Sequence, residues 1–127
     1  MPASLPPAFR RIRLELAREP GHPQGEAHFG YQLVAPLGED AHIAVELWKE
    51  HRDNCRVVRF RPDGDRDIGH LVRRPGGSWA FRYDIAGDEE DEATFRFDNE
   101  AFRTGEYVSV RQGDQMHTFR VVSVEPV

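Results

Sequence analysis

Three side chains in the middle of the chain have the chemistry and spacing of metal ligands. His51 and Cys55 are four positions apart, which places both on one face if the segment forms a helical turn. His70 would supply a further ligand, with His42 and Asp53 as alternatives. Cysteine is also among the residues most often buried as a small hydrophobe. Two interpretations stay open: a metal-binding protein or small metal-dependent enzyme using His51, Cys55 and His70, or an ordinary strand cysteine, which we favour.

Arginines and aromatic side chains are interleaved over residues 55–83, which carry seven basic and three acidic residues. The arginines are Arg56, Arg59, Arg61, Arg66, Arg73, Arg74 and Arg82. Such a surface can bind single-stranded nucleic acid by base stacking and phosphate contacts, with Trp79 as the stacking ring. However, aromatic residues that alternate along one strand usually pack into a core. We expect a core with an arginine rim, and keep nucleic-acid binding through Trp79 and the arginine-rich hairpin as an alternative.

An acidic stretch follows directly, since residues 84–100 carry eight acidic residues and one basic residue. Carboxylates are ligands for calcium or magnesium, but the alternating pattern and fixed glycine of an EF-hand are missing. A run of like charges is usually a solvated loop. The sequence therefore predicts an acidic surface loop, in which Glu89 and Glu90 are candidate contacts to a partner.

The sequence contains no local signature of catalysis. None of its six histidines is accompanied by a Gly-x-Ser-x-Gly, His-Glu-x-x-His or Walker-type motif. His70 is the best single candidate for a site residue, although a hydrogen-bonded histidine at the edge of a core is the simpler interpretation. No catalytic residue and no cofactor are therefore predicted.

Composition restricts the class of protein. The chain has 127 residues, 39% hydrophobic and 31% charged, which is typical of one soluble globular domain. Its net charge of −5 argues against nucleic acid as the main partner. No apolar run approaches the roughly 18 residues of a membrane span, and no signal segment is recognisable. A single cysteine, and sixteen arginines against one lysine, indicate a bacterial protein from a GC-rich genome, expected in the cytoplasm.

Hydrophobic alternation predicts a first hairpin and a short helix. Ile12, Leu14 and Leu16 alternate with charged residues, and residues 29–35 repeat the pattern after a loop rich in proline and glycine. Residues 41–51 then fit an α-helix with Asp40 as its N-cap, although part of the segment also fits a strand.

Short strands and turns account for the remaining chain. Residues 68–73 and 78–83 flank Pro-Gly-Gly and should pair, with either a two-residue or a three-residue turn. The two registers differ in whether His70 faces the core or the solvent. Residues 95–97 predict a short strand. A final hairpin should place Val108 opposite Phe119 and Tyr107 opposite Arg120.

These elements predict a mainly β fold, a small antiparallel β-barrel or sandwich with one short α-helix near residues 41–51. Residues 1–8 form a flexible N-terminal tail, and residues 9–127 form a single β-rich domain. The predicted core consists of Leu14, Leu16, Tyr31, Leu33, Phe60, Phe81, Val108, Phe119 and Val121.

The sequence favours a non-catalytic protein-interaction or structural module that contacts a protein partner or a second copy of itself. An uncovered strand edge would offer one route to such pairing. Candidate partner contacts are Arg73, Arg74, Trp79, Glu89 and Glu90. Nucleic acid and membrane are not expected partners.

Overall fold

The fold is a single antiparallel sheet that curls into a barrel. A computed structural model describes residues 6–18, 23, 25–83, 95–97, 101–112 and 115–127. Its strands are β1 (Phe9–Leu16), β2 (Glu26–Pro36), β3 (Arg56–Phe60), β4 (Arg66–Arg73), β5 (Trp79–Tyr83), β6 (Phe95–Phe97), β7 (Tyr107–Gln112) and β8 (Gln115–Pro126). One helix, α1 (Val45–Glu50), lies between β2 and β3, and a short 3₁₀-helix (Arg52–Asn54) follows it. The prediction of a mainly β fold with one short helix is confirmed.

Each strand pairs with its neighbours in sequence, and β8 pairs with β1 to close the barrel. Seven strands, from β7 through β8 and β1 to β5, form one continuous curled sheet. The three-residue strand β6 completes the ring through two residue pairs on each side. β1 pairs along its length with both β2 and β8 and therefore has no free edge. A partner strand cannot add to the sheet at β1.

Successive side chains of a strand point to opposite faces, so closure sends every second residue into the barrel. Tyr31 is fully buried, and its ring centroid lies 4.8 Å from that of Phe81 and 5.0 Å from that of Phe119. All nine predicted core residues are buried. Phe60 differs from the others because it lies on the outer face of β3, outside the core cluster, beneath the guanidinium of Arg13.

Helix α1 covers one end of the barrel and is shorter than the predicted helix. Its buried Trp48 donates a hydrogen bond from Nε1 to the carbonyl of Leu71 at 2.9 Å, and its ring lies edge-on to Trp79 at 5.2 Å. The N-cap is Ala44, without a side-chain hydrogen bond, so the prediction of Asp40 as cap is wrong. The Asp40 carboxylate instead accepts from the backbone N–H of His42, which holds the loop before the helix.

The β4–β5 and β7–β8 hairpins each have a strand register proposed from the sequence. The turn after β4 has three residues, which places Leu71 opposite Phe81 and His70 on the outer face, opposite Arg82. In the last hairpin Val108 lies opposite Phe119, as predicted. The acidic loop predicted at residues 84–93 and the turn at 113–114 lie outside the described residues.

Gly30 should be indispensable to the fold, because a Cβ atom at this position would lie 1.8 Å from the carbonyl oxygen of Leu14. That oxygen belongs to the backbone of β1 and has no room to move away. We expect Gly30→Ala to lower the free energy of unfolding by about 1–3 kcal/mol or more, measured by urea denaturation. Gly38→Ala is the control, since its nearest neighbour is the Asp40 side chain at 3.1 Å. Equal stability of the two variants would contradict this account of Gly30.

Candidate binding groove

An outward-facing groove crosses strands β1, β2 and β3 and reaches the start of β4. Its volume is about 470 Å³, within the usual range for ligand pockets. The lining residues are Arg11, Arg13, His28, Gln32, Leu33, Val34, Arg56, Val58, Phe60, Arg61, Pro62, Gly64 and Arg66. We call this surface the arginine groove. It combines an apolar floor with guanidinium groups from three strands and from the turn after β3.

The arginine groove is basic, because its described lining residues include five arginines and no carboxylate, although Glu15 and Asp67 pair with Arg13 and Arg61 at its edge. Arg11, Arg56 and Arg66 are exposed, and no ion pair or hydrogen bond joins them to other residues in the described part of the chain. Guanidinium groups bind carboxylates and phosphates through two parallel hydrogen bonds. The groove therefore presents to an incoming anion three guanidinium groups that have no ion pair with the residues the structure describes.

Arg13 is held in place at the centre of the groove. Its guanidinium lies 4.3 Å above the Phe60 ring, a cation–π distance. Nε donates to the carboxylate of Glu15 at 2.8 Å, and another nitrogen donates to the carbonyl of Ala27 at 3.2 Å. Phe60 is thereby almost completely covered, although it points away from the barrel interior. These contacts fix Arg13 as part of the groove wall.

A second arginine cluster supports the rim of the groove from inside the barrel. Arg59 lies on the inner face of β3, 7% exposed, and both it and Arg61 donate to the carboxylate of Asp67. One carboxylate is shared by two guanidiniums, and the turn between β3 and β4 also contains Asp63 and Asp65. Since Arg61 lines the groove, this ion-pair network fixes its position there.

The residues predicted to bind a metal are not brought together. Cys55 is fully buried, on the inner face with Val57, whereas His70 lies on the outer face. His51 follows α1, where its ring contacts Phe9 edge-on at 5.4 Å. Within the described residues, no group of three His, Cys, Asp or Glu side chains has the geometry to hold a metal ion. Burial raises the pKa of the Cys55 thiol to about 12, as for a structural rather than a reactive cysteine.

The predicted partner contacts divide into different environments. Trp79 is fully buried, so its ring is not available to stack on a base or to contact a partner, which corrects that expectation. Arg73 is exposed and stacks on Trp79 at 5.0 Å, while Arg74 lies in the turn after β4. Glu89 and Glu90 lie outside the described residues. The three that the structure describes, Arg73, Arg74 and Trp79, do not line the arginine groove.

The groove was not predicted from the sequence because Arg11 and Arg13 are 43 to 55 residues away from Arg56 and Arg66. The available signal was strand alternation. It places Arg11 and Arg13 on the face of β1 that points away from its apolar residues, and it places Arg56 on the other face of β3 from Val57. Only the pairing of β1 with β2, and of β2 with β3, places these arginines on one surface.

Comparison with known proteins finds no match to the chain among protein families, curated proteins or solved structures. In the part of the chain that the structure describes, no helix has the length and apolar composition required to cross a bilayer. Any functional inference therefore depends on the residues of the groove and on their physical chemistry.

The Cys55 thiol should be inert in the folded protein, because it is buried and its raised pKa keeps it protonated. At pH 8 we expect a disulfide reagent such as DTNB to titrate no thiol under native conditions and one thiol per chain in denaturant. The free thiol of glutathione is the reactivity control. Rapid stoichiometric labelling of the native protein would contradict the buried position of Cys55.

Proposed function

We propose that this protein is a non-catalytic binding module whose site is the arginine groove, and that it binds an acidic segment of a protein partner. The observation that supports the proposal is a groove whose described lining residues include five arginines and no carboxylate. Three of these arginines have no ion pair with other described residues. Self-repulsion among them is relieved when an anionic partner binds.

The side chains of the groove favour binding over catalysis. Among the lining residues that the structure describes, there is no serine, threonine, cysteine or tyrosine that could serve as a nucleophile, and no carboxylate that could act as an acid or base. His28 is the one histidine among the described lining residues. The groove instead provides positive charge, a concave shape and an apolar floor.

A peptide carboxylate suits this groove better than a nucleic-acid base. The floor consists mainly of aliphatic side chains, and its one aromatic ring, Phe60, is covered by Arg13. Binding of single-stranded nucleic acid generally needs exposed aromatic rings on which successive bases stack. Acidic side chains on an extended peptide can instead pair with separate guanidiniums while small apolar residues contact Val34 and Val58.

Charge reversal in the groove should weaken the binding of an acidic peptide. The probe is a fluorescein-labelled decapeptide of alternating Glu and Asp, followed by fluorescence anisotropy in 50 mM NaCl. For the double variant Arg56→Glu/Arg66→Glu we expect the dissociation constant to rise by at least about tenfold, since two attractive pairs become repulsive. Both residues are exposed, so circular dichroism and the thermal midpoint should stay close to those of the wild type.

The matched control is Arg73→Glu/Arg74→Glu, which changes the net charge equally but lies outside the groove. It should leave the dissociation constant within about twofold of the wild type, apart from a weak long-range effect. A larger loss in this variant than in the groove variant would move the binding site to the β4–β5 turn. Tighter binding of a single-stranded oligonucleotide than of the acidic decapeptide would overturn the proposed partner class.

A further inference from the structure

We infer that the acidic segment bound by the arginine groove is residues 84–94 of a second copy of this chain, so that the protein self-associates by charge complementarity. This inference rests on the proposed function, because it names the partner of the same groove. The eleven residues 84–94 contain six acidic side chains and no basic one. They are Asp84, Asp88, Glu89, Glu90, Asp91 and Glu92.

The composition of this segment matches the groove in two ways. Its six carboxylates oppose five groove arginines, of which three have no ion pair with other described residues. It also contains Ile85, Ala86 and Ala93, which are compatible with an apolar floor. Next to that floor on β4, Ile68 is 47% exposed and lies opposite Val58, so the apolar surface continues beyond the groove.

Strand order makes a second copy the better source of this segment. Residues 84–94 connect β5 to β6, and two strands, β4 and β3, separate β5 from β2 at the centre of the groove. At about 4.8 Å per strand, that separation is roughly 14 Å along the sheet. Reaching Arg11 on β1 and returning to β6 across the same strands would need about 43 Å, four strand spacings out and five back, which exceeds the roughly 36–40 Å that eleven extended residues span. The segment of the same chain can therefore reach Arg66 on β4 but not the whole groove, whereas the segment of a second copy is anchored to a different sheet and is not limited in this way.

Reciprocal exchange gives a closed assembly. Each copy has one arginine groove and one acidic segment, so two copies related by a twofold axis satisfy both grooves at once. The net charge of −5 still keeps the molecules apart at long range. We therefore expect a dimer whose stability depends on salt, because exposed ion pairs are screened within a Debye length of about 10 Å at 0.1 M.

The test is sedimentation equilibrium of the full chain over a range of protein and NaCl concentrations. Wild-type protein should form a dimer at low salt that dissociates as NaCl is raised. The groove variant Arg56→Glu/Arg66→Glu and the segment variant Glu89→Gln/Glu90→Gln/Asp91→Asn/Glu92→Gln should each raise the dimer dissociation constant by at least about tenfold. The control Arg73→Glu/Arg74→Glu should dimerise like the wild type.

The decisive experiment is sedimentation equilibrium of a mixture of the groove variant and the segment variant. The segment variant keeps an intact groove and the groove variant keeps an intact acidic segment, so an equimolar mixture should contain heterodimers more stable than either homodimer. A wild-type protein that remains monomeric at every concentration, or a dimer unaffected by both variants, would overturn the inference.

Binding of the Glu/Asp decapeptide is measured on the same samples. If it persists in a monomeric protein, only the second-copy inference fails; if it is also absent, the proposed function fails as well.

Discussion

The closure of the sheet through the pairing of β1 with β8 is the constraint on which the other features depend. Once the ring closes, the inward apolar side chains of the described strands form one packed core, and Tyr31, Phe81 and Phe119 fill its centre with ring contacts. An eight-stranded barrel of this kind has an interior just wide enough for side chains to fill. The proposed recognition therefore takes place on the outer face, where the arginine groove is a basic, concave surface.

The same alternation that builds the core separates two roles for arginine on β3. Arg59 points inward and shares Asp67 with Arg61, whereas Arg56 points outward and has no ion pair in the described part of the chain. A buried guanidinium requires a partner, because an unpaired buried charge is very unfavourable. An exposed one can remain unpaired until a ligand binds. Two arginines of one strand therefore have different environments: Arg59 is in a buried ion-pair network, and Arg56 is exposed on the face that we propose to be the binding surface.

Local sequence patterns specified much of the fold. The alternation of Ile12 and Leu14 with charged residues, and the pairing of Val108 with Phe119, were predictable because one face of each strand is buried. The turn at Pro75 was ambiguous, since two-residue and three-residue turns both suit its glycines. The register was settled by burial of Leu71 opposite Phe81.

Features that require distant segments could not be predicted from the sequence. Helix α1 begins at Val45, four residues later than expected, because Ile43 forms a bridge with Leu37. The groove needs Arg13 and Arg56 on one surface, which depends on the registers of two strand pairs. Grouping Arg56 with Arg59 by nearness in sequence concealed this, because the two side chains point to opposite faces of the sheet.

The central claim is that the outer face of β1, β2 and β3 is the binding surface. It is tested most directly by titrating ¹⁵N-labelled protein with the acidic decapeptide and recording ¹H–¹⁵N correlation spectra. The account predicts that the largest shifts occur at the side-chain amide of Gln32, at the backbone of Val58, and at the Nε signals of the groove arginines. Shifts concentrated around Arg73 and Arg74 at the β4–β5 turn, with Gln32 and Val58 unchanged, would contradict it.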